Sequence, residues 1–563
     1  AGWARVRVRG PEGARVLVEY CELPSDRELV PDIHPSKLKI RVEDTDYASF
    51  YDKSINIRQQ NGYILKGKGT ETFECRFAYM GFQFVRVTAD PGVTVERVEA
   101  VPVHTDVAEA GRFVCSNDVV NRLQDMSRAS LLNNFHSIPT DCPHREKQGW
   151  TADTYMTDQA AIYNFDMAAF YAKWVEDLAG TQDSAGGLCT VAPSTGYDQS
   201  ISTVWPAAIV YVPWDLLAYY GDRRVVERHY ETMMRFAESS LLRQRDGKPE
   251  IIGEVLGDWV SPHMTLSDTL MSYSMAPPEG LTLYGTASHY RVVRNLAEVA
   301  RFLGKRDDAV RLDAWADRIA RRFNEEFFDA ASGIYHGENP TPYRQAANVV
   351  PLEYGLVPEA DSARVLGSLL RDLDGTRDRI GTGFVGTLSM MELMPRIDPE
   401  RAYRLATQPD YPGWGFMALS GATTMWETWD GSASRNHPPF CLISAYFYKY
   451  LAGIRCDRAY PGFERFTVDP SVVGDLTFVE AWHDSPYGRI RSEWRRDGSR
   501  LTMKVSVPVG TTATIGVPTR DAAGVAESGR PVSGTDGVKF LRAAGGKAFY
   551  EVGSGSYVFT SRL

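Results

Sequence analysis

Strict alternation of apolar and polar residues marks both ends of the chain. It recurs near the start in ARVRVRG, ARVLVEY and VTVERVEAVPVH, and near the end LTMKVSVPV places Leu501, Met503, Val505, Val507 and Val509 on one face. A period of two predicts half-buried β-strands, and the turn-forming glycines and aspartates between the bursts are typical of hairpins. We therefore expect a β-sandwich at each end.

A helical period governs the middle of the chain. Beyond Ser116, apolar residues recur every three or four positions, beginning with Val119, Leu123 and Met126. Three longer stripes follow the same rule: Val226, Tyr230, Met233, Ala237 and Leu241; Val292, Leu296, Val299 and Leu303; and Leu312, Trp315, Ile319 and Phe323. Such stripes predict amphipathic helices, and helix pairs separated by long glycine- and proline-rich loops favour an α/α toroid.

The change of period divides the chain into three predicted domains. We expect an N-terminal β-sandwich over residues 1–112, a helical domain over 113–455 and a C-terminal β-sandwich over 456–563. A length of 563 residues is ample for three such cores. The loops between the helices are the expected place for chemistry.

Charge and composition narrow the function. With 62 basic and 72 acidic residues the net charge is −10, which argues against nucleic acid or an anionic membrane as the main partner. No apolar stretch approaches the roughly 20 residues that span a membrane. The opening AGWARVRVRG has neither a charged n-region nor an apolar h-region, so no secretory signal is expected within this chain, although a processed start stays open.

The aromatic share of 11% stands out in an acidic chain. Aromatic rings pack against the apolar faces of sugars, and carboxylates serve as acids and bases, so the combination hints at a carbohydrate-active enzyme. The seven cysteines include no C-x-x-C pair, which indicates neither a disulfide framework nor a zinc ribbon. No cofactor or metal is expected.

Two segments concentrate carboxylates beside tryptophan. PTDCPHREKQGWTAD, at 139–153, contains Asp141, Glu146 and Asp153, and GATTMWETWD, at 421–430, contains Glu427. A glycosidase needs two carboxyl groups that flank the scissile bond, one as the acid and one as a base or nucleophile. Smaller candidates are TVWPAA and GEVLGDWVSP, each with a tryptophan.

These motifs resemble a known family. DCPHREKQGWTAD, GATTMWETWD, the preceding YPGWGF and the Asn-His of NHPPF are similar to the signature set of the glycoside hydrolase family 78 α-L-rhamnosidases. The resemblance extends from FAYMGFQFVRV to about residue 494, most of the chain. It implies a central (α/α)6 barrel flanked by N-terminal and C-terminal β-sandwich domains. It also implies hydrolysis of terminal α-L-rhamnosides with inversion at the anomeric carbon.

The resemblance assigns roles by position. Glu146 corresponds to the general acid, in preference to Lys147, and Glu427 corresponds to the general base that activates water. Residues matching positions that bind or wall the rhamnose are Asp141, Arg145, Trp150, Asp153, Trp205, Trp259 and His437. Asp258, Trp426 and Trp429 lie beside these positions in the sequence and are further candidate substrate contacts.

The proposed acid leads to geometric expectations. Inversion requires the carboxyl groups of Glu146 and Glu427 to lie roughly 6.5–9.5 Å apart, with room for a water. An ammonium on Glu146 would oppose its protonation. We therefore expect Lys147 to point away from Glu146, and Asp141 or Asp153 to lie close to it.

Two other functions stay open. One is an enzyme of the same fold with changed chemistry, such as a lyase acting on rhamnose-linked glucuronate, which could dispense with a water-activating base. The other is a non-catalytic carbohydrate-binding protein, which would bind rhamnosides without turnover. The aglycone, the oligomeric state and the compartment are not predicted from the sequence.

Overall fold

The computed structural model describes residues 1–22, 59–196, 202–245, 247–263 and 276–563. Within these residues the N-terminal part contains the strands β1 (Gly2–Arg9), β2 (Arg15–Cys21), β3 (Gln60–Ile64), β4 (Thr70–Glu74), β5 (Phe84–Ala89) and β6 (Thr94–Pro102). They form two antiparallel sheets, ordered β4-β1-β6 and β3-β2-β5. Val6 and Val8 of one sheet share a core with Val16 and Val18 of the other, so the alternation predicted the two-layer packing correctly.

The middle of the chain is helical. Its described helices are α1 (Asp118–Asn133), α2 (Thr151–Asn164), α3 (Ala168–Ala179), α4 (Ala208–Tyr220), α5 (Arg223–Ser239), α6 (Thr282–Phe302), α7 (Arg306–Phe327), α8 (Gln345–Tyr354), α9 (Glu359–Thr376), α10 (Phe384–Ile397), α11 (Pro399–Thr407), α12 (Trp414–Leu419) and α13 (Leu442–Tyr446). Each predicted stripe lies on one of them, except that Leu241 and Leu303 come just after the ends of α5 and α6. None of the described helices is long and apolar enough to cross a membrane.

The first helix shows how the sequence starts and buries these elements. The Asn117 side chain accepts hydrogen bonds from the backbone N–H groups of Val119 and Val120, which satisfies donors that the first turn leaves unpaired. Leu123 and Met126 then bury the inward face of α1. The predicted change of period near Ser116 is confirmed, because α1 begins two residues later.

Six helices surround one internal cavity. Side chains from α2, α4, α6, α8, α10 and α13 line it, together with residues that follow α13. Between α2 and α10, every second helix contributes to the wall. The loops that precede α2 and α13 carry the two carboxylate-rich motifs, so both motifs lie at one end of this set of helices.

The remaining strands are mostly C-terminal. They are β7 (Gly111–Cys115), β8 (Gln244–Arg245), β9 (Lys248–Ile252), β10 (Phe328–Asp329), β11 (Ile334–Tyr335), β12 (Ile454–Cys456), β13 (Arg465–Val468), β14 (Phe478–Ser485), β15 (Gly488–Asp497), β16 (Arg500–Val507), β17 (Thr512–Pro518), β18 (Ala526–Glu527), β19 (Arg530–Pro531), β20 (Val538–Ala544), β21 (Lys547–Val552) and β22 (Gly555–Arg562). Two pairs, β8-β9 and β10-β11, are short hairpins between helices.

Two larger sheets form the C-terminal part, ordered β12-β13-β17-β21-β20 and β19-β18-β22-β16-β15-β14-β7. The edge strand β7 precedes the helices and pairs antiparallel with β14, which ties the two ends of the helical region to one sheet. Leu501, Met503, Val505 and Val507 are buried as predicted. The prediction for Val509 is wrong, because β16 ends at Val507 and Val509 is exposed in the following turn.

Candidate active site

The loop before α2 places Glu146. Asp141 closes this loop, since its backbone N–H donates to the Gln148 carbonyl and its Oδ1 accepts from the Gln148 N–H at 2.9 Å. Gly149 follows where the chain passes close to residue 192, and a Cβ at Gly149 would lie 2.0 Å from the Ala192 carbonyl oxygen. The close passage holds the loop against the body of the protein.

A second closed loop places Glu427. The Glu427 N–H donates to the Ser434 carbonyl at 2.8 Å, and the Ser434 N–H donates to Glu427 Oε2 at 3.1 Å. The His437 N–H donates to the Met425 carbonyl. Backbone hydrogen bonds on both sides therefore fix the carboxylate without requiring a regular helix or strand.

One guanidinium joins the two loops. Arg145 Nε donates to Glu146 Oε1 at 3.1 Å, and Arg145 Nη2 donates to Glu427 Oε2 at 2.6 Å. Trp150 Nε1 donates to the other oxygen of Glu146 at 2.7 Å. The Glu427 side chain is 3% exposed and that of Glu146 is 18% exposed, so the two carboxyl groups share a cation but differ in access to solvent.

His437 supplies a second positive charge. Its Nε2 lies 3.1 Å from Asp153 Oδ1, and its Nδ1 lies 3.9 Å from Glu427 Oε2. Burial disfavours the imidazolium, but the Glu427 and Asp153 carboxylates outweigh burial and raise the pKa of His437 to about 9. Burial likewise opposes ionisation of Glu427, yet Arg145 and His437 hold its pKa below the ordinary value.

Asp141 behaves in the opposite way. Complete burial, reinforced by the negative charge of Glu146, raises the pKa of Asp141 well above its ordinary value. Lys147 does not neutralise either carboxyl group, because its ammonium donates to the Tyr79 carbonyl and lies 4.4 Å from the centre of the Tyr79 ring. Lys147 therefore points away from Glu146, as expected, and the cation that contacts Glu146 is Arg145. The expected closeness of Asp141 or Asp153 to Glu146 stays a prediction.

Glu22 completes the cluster from the N-terminal sheets. This buried glutamate directly follows β2, its Oε1 lies 3.2 Å from His144 Nδ1, and its Oε2 accepts from the Arg435 N–H at 2.9 Å. It thus contacts both loops. Burial raises its pKa to about 7. Glu22 was not among the predicted site residues, since a single glutamate at the end of a strand carries no local signal of such a contact.

The predicted tryptophans occupy different positions. Trp205 and Trp259 meet edge to face, with ring centres 6.3 Å apart. Trp426 is buried, with the Arg435 guanidinium 5.0 Å from the centre of its ring.

Trp429 and Asp258 lie deeper. Trp429 is 1% exposed, packs its ring on Phe440 and donates to the Thr382 carbonyl. Asp258 is fully buried and accepts from the N–H groups of Gly383 and Gly386 at the start of α10. These contacts fix both side chains inside the protein. Direct contact of either residue with the sugar stays a prediction.

Three side chains are close enough to share a metal ion. Ligand atoms of Asp141, Cys142 and His437 lie within 4.8 Å of one another. Burial, together with the charge of Asp141, raises the pKa of the Cys142 thiol well above its usual value, which disfavours the thiolate that a metal requires. His437 is engaged by carboxylates. The arrangement therefore favours acid–base chemistry over metal binding.

Comparison with known families covers nearly the whole chain. The model described as the bacterial α-L-rhamnosidase six-hairpin glycosidase domain matches residues 108–451. The concanavalin-like domain of bacterial α-L-rhamnosidases matches residues 1–104, and their C-terminal domain matches residues 453–530.

Individual relatives agree with these matches. An α-L-rhamnosidase of Streptomyces avermitilis is 30% identical over 99% of this chain and 51% of its own length, and one of Formosa agariphila is 28% identical over 92% and 54%. The structure of an α-L-rhamnosidase from Dictyoglumus thermophilum is 30% identical, with a TM-score of 0.85 over 99% of this chain and 60% of that chain. A Streptomyces avermitilis α-L-rhamnosidase complexed with L-rhamnose is 28% identical, with a TM-score of 0.82 over 99% and 51%. The chain thus spans about half the length of the curated relatives it matches.

Proposed function

Because the chain belongs to the bacterial α-L-rhamnosidase family, as its motifs predicted, we propose that it hydrolyses terminal α-L-rhamnosides with inversion. In this proposal Glu146 is the general acid and Glu427 the general base. The observation that carries it is the contact of one guanidinium, that of Arg145, with both carboxylates. Two carboxyl groups on facing loops are the parts that glycoside hydrolysis needs.

The environment of Glu427 suits a base. A general base must be ionised before the reaction, and Arg145 and His437 keep the pKa of Glu427 low despite burial. Its Oε2 accepts from Arg145 Nη2 and from the Ser434 N–H, which fixes the carboxylate. In this proposal Oε1 orients the attacking water.

The position of Glu146 suits an acid that must reach a leaving group. It is the more exposed of the pair, and Trp150 fixes its orientation through the indole N–H. Asp141, Arg145, Trp150 and Asp153 surround the same space and are proposed to bind the rhamnose. The positive charge of an oxocarbenium-like transition state would be stabilised by the nearby carboxylates.

We assign the remaining candidates as follows. His437 orients Asp153 and Glu427, Trp205 and Trp259 form an aromatic wall, and Trp426, Trp429 and Asp258 support that wall. The alternation of helices around the internal cavity supports an (α/α)6 barrel over residues 113–455, between β-sandwich domains over 1–112 and 456–563. The separation of roughly 6.5–9.5 Å between the two carboxyl groups stays part of the proposal.

The experiment follows an aryl α-L-rhamnoside by NMR with wild type, Glu146→Gln and Glu427→Gln. The expected first product is β-L-rhamnose, and each variant should lose at least about 100-fold in kcat/KM because it lacks one proton-transfer group. Glu527→Gln is a matched control, since Glu527 is a buried glutamate of the C-terminal sheets. Hydrolysis by wild type with α-L-rhamnose as the first product would contradict inversion. Binding without hydrolysis would favour the non-catalytic alternative.

A further inference from the structure

The internal cavity lies away from the proposed catalytic residues. It has a volume of about 300 Å³ and is lined by side chains of α2, α4, α6, α8, α10 and α13. Asp153 belongs to the catalytic cluster, whereas Asp158 lines the cavity five residues further along α2, a rise of about 7.5 Å. We call this space the axial cavity. Its walls include none of the residues of the two catalytic loops.

Several buried polar atoms around the axial cavity have no hydrogen-bond partner among the described residues. They are Asp158 Oδ2, Tyr211 Oη and Tyr446 Oη, on side chains that are more than nine-tenths buried, and the two atoms of the 3.6 Å ion pair between Arg291 Nη1 and Glu353 Oε2. A buried polar group without a partner costs about 1–3 kcal/mol. Polar atoms of this kind on the wall of one cavity are satisfied either by water or by a ligand that carries hydroxyl or similar groups.

The charges around the axial cavity are already paired. Asp215 Oδ1 accepts from Arg458 Nη2 at 2.5 Å, and Lys449 donates to Glu392. Arg291 lies 3.6 Å from Glu353. Burial and the charge of Asp215 raise the pKa of Asp158 well above its ordinary value, which favours its uncharged form. An ionic occupant would find no unpaired opposite charge, so the balance favours an uncharged one.

Aromatic rings complete the wall. Tyr155 and Tyr211 meet edge to face with ring centres 5.0 Å apart, and Trp214 and Tyr219 also face the cavity. Such rings pack well against C–H groups, whereas the carboxyl and guanidinium groups offer acceptors and donors side by side. A molecule with several hydroxyl groups on a carbon skeleton matches both features, because each hydroxyl both donates and accepts.

We propose that the axial cavity is a second binding site, which takes one small, uncharged, polyhydroxylated molecule no larger than a monosaccharide. Its volume is at the lower end of the roughly 300–1,000 Å³ range of ligand sites. Arg458, whose side chain is 43% exposed, marks the end at which such a molecule would enter. The proposal does not depend on hydrolysis by Glu146 and Glu427.

The test is crystallographic, on the full chain soaked separately in glycerol, D-glucose and L-rhamnose. The expected result is density for at least one of these polyols in the axial cavity, with a hydroxyl group within hydrogen-bond distance of Asp158 or Tyr211. Two variants that reduce the cavity, Ala445→Leu and Leu388→Phe, should each lose that density, and either one suffices if the other does not fold.

Three outcomes would overturn the proposal. One is that only separate water molecules fill the axial cavity in every soak. Another is that polyol density persists in the reduced cavities. The third is that the polyol is found elsewhere and the axial cavity stays water-filled. L-Rhamnose beside Glu146 bears on the proposed function alone, so a failure of either proposal is distinguishable from a failure of the other.

Discussion

The helical part of the chain contains two buried groups of ion pairs, and they are built differently. At the proposed catalytic site Arg145 contacts two glutamates at once, and both glutamates are on loops. Around the axial cavity Asp215 pairs with Arg458, and Glu392 pairs with Lys449. Both acids of these pairs lie on helices. The same helical region thus contains one cation that is shared by two carboxyl groups and two cations that each pair with a single carboxyl group.

The difference has an electrostatic consequence. One-to-one pairs balance their charges, so such a cluster can be buried without a ligand. Glu146, Glu427 and Asp153 share two cations, Arg145 and His437, so the charges at the proposed catalytic site balance only while Glu146 holds its proton as the proposed acid. When the acid gives up this proton, the site gains negative charge, which suits a reaction that develops positive charge on the substrate.

The largest expected effect comes from removing the shared cation. Arg145→Met leaves the buried Glu427 carboxylate without its closest partner, and breaking a buried pair in this way costs about 3–5 kcal/mol. We expect kcat/KM on an aryl α-L-rhamnoside to fall at least about 100-fold, because both proposed catalytic carboxyl groups lose their orientation. Steady-state kinetics and thermal unfolding, measured together, separate the two effects.

Arg145→Lys sharpens this prediction. Lysine keeps the positive charge but has no planar fork that reaches two carboxylates at once. It should therefore recover stability more than activity. Activity of Arg145→Met close to wild type would show that the shared cation is structural only.

The matching change beside the axial cavity is Asp215→Asn. It removes the carboxylate partner of Arg458, whose side chain is partly exposed, so the stability cost should be smaller, about 1–3 kcal/mol. Activity per folded molecule should change far less than in Arg145→Met. Chemical denaturation and kinetics of the two variants side by side provide the measurement. A larger activity loss in Asp215→Asn than in Arg145→Met would reverse the comparison.

Glu22 gives a smaller effect that depends on pH. Its pKa of about 7 in the folded protein lies above the ordinary value of 4.5, so the folded state holds this proton more tightly than the unfolded state. Stability from this group is therefore present below about pH 4.5 and is lost as the pH rises to 7. Glu22→Gln cannot lose that proton, so its free energy of unfolding should rise relative to wild type across this window, by on the order of 3 kcal/mol.

The measurement is denaturant unfolding of wild type and Glu22→Gln at intervals from pH 4 to about 8. Glu12→Gln is the control, because Glu12 is an exposed glutamate of the same N-terminal part. Parallel curves for wild type and Glu22→Gln would show that Glu22 ionises in the folded protein as it does in the unfolded one.

Local patterns predicted most of the fold. The stripe through Leu312 and Phe323 became α7, and the alternation from Leu501 became β16, because each pattern directly reflects which face is buried. The prediction failed at Val509 because the pattern shows which face is buried but not where the strand ends. Alternation continues past Val507 in the sequence, whereas the Pro508–Gly510 turn ends the strand.

The site was less predictable from local patterns. Glu146 and Glu427 were found through long motifs, and only a motif could connect residues almost three hundred positions apart. No sequence motif marks the ion pairs around the axial cavity, because Asp158 and Asp215 are single acids among mostly apolar helical residues. The positions of the backbone N–H groups that hold Glu22 and Asp258 arise from tertiary packing, which the sequence does not display.

The smallest effect is expected at Cys142, which lies in the catalytic loop but takes part in neither kind of pairing. Burial, reinforced by Asp141, raises the pKa of this thiol well above its usual value, so the reactive thiolate is not populated. Native protein treated with iodoacetamide should leave Cys142 unlabelled by mass spectrometry, whereas all seven cysteines should react after unfolding. Cys142→Ala should keep kcat/KM within about threefold, since it removes a thiol that contacts the Glu146 N–H at 3.5 Å but no charge. Rapid labelling of Cys142 in the native protein, with loss of activity, would contradict this prediction. It would show that the thiolate is populated and that it is one of the negative charges near Arg145.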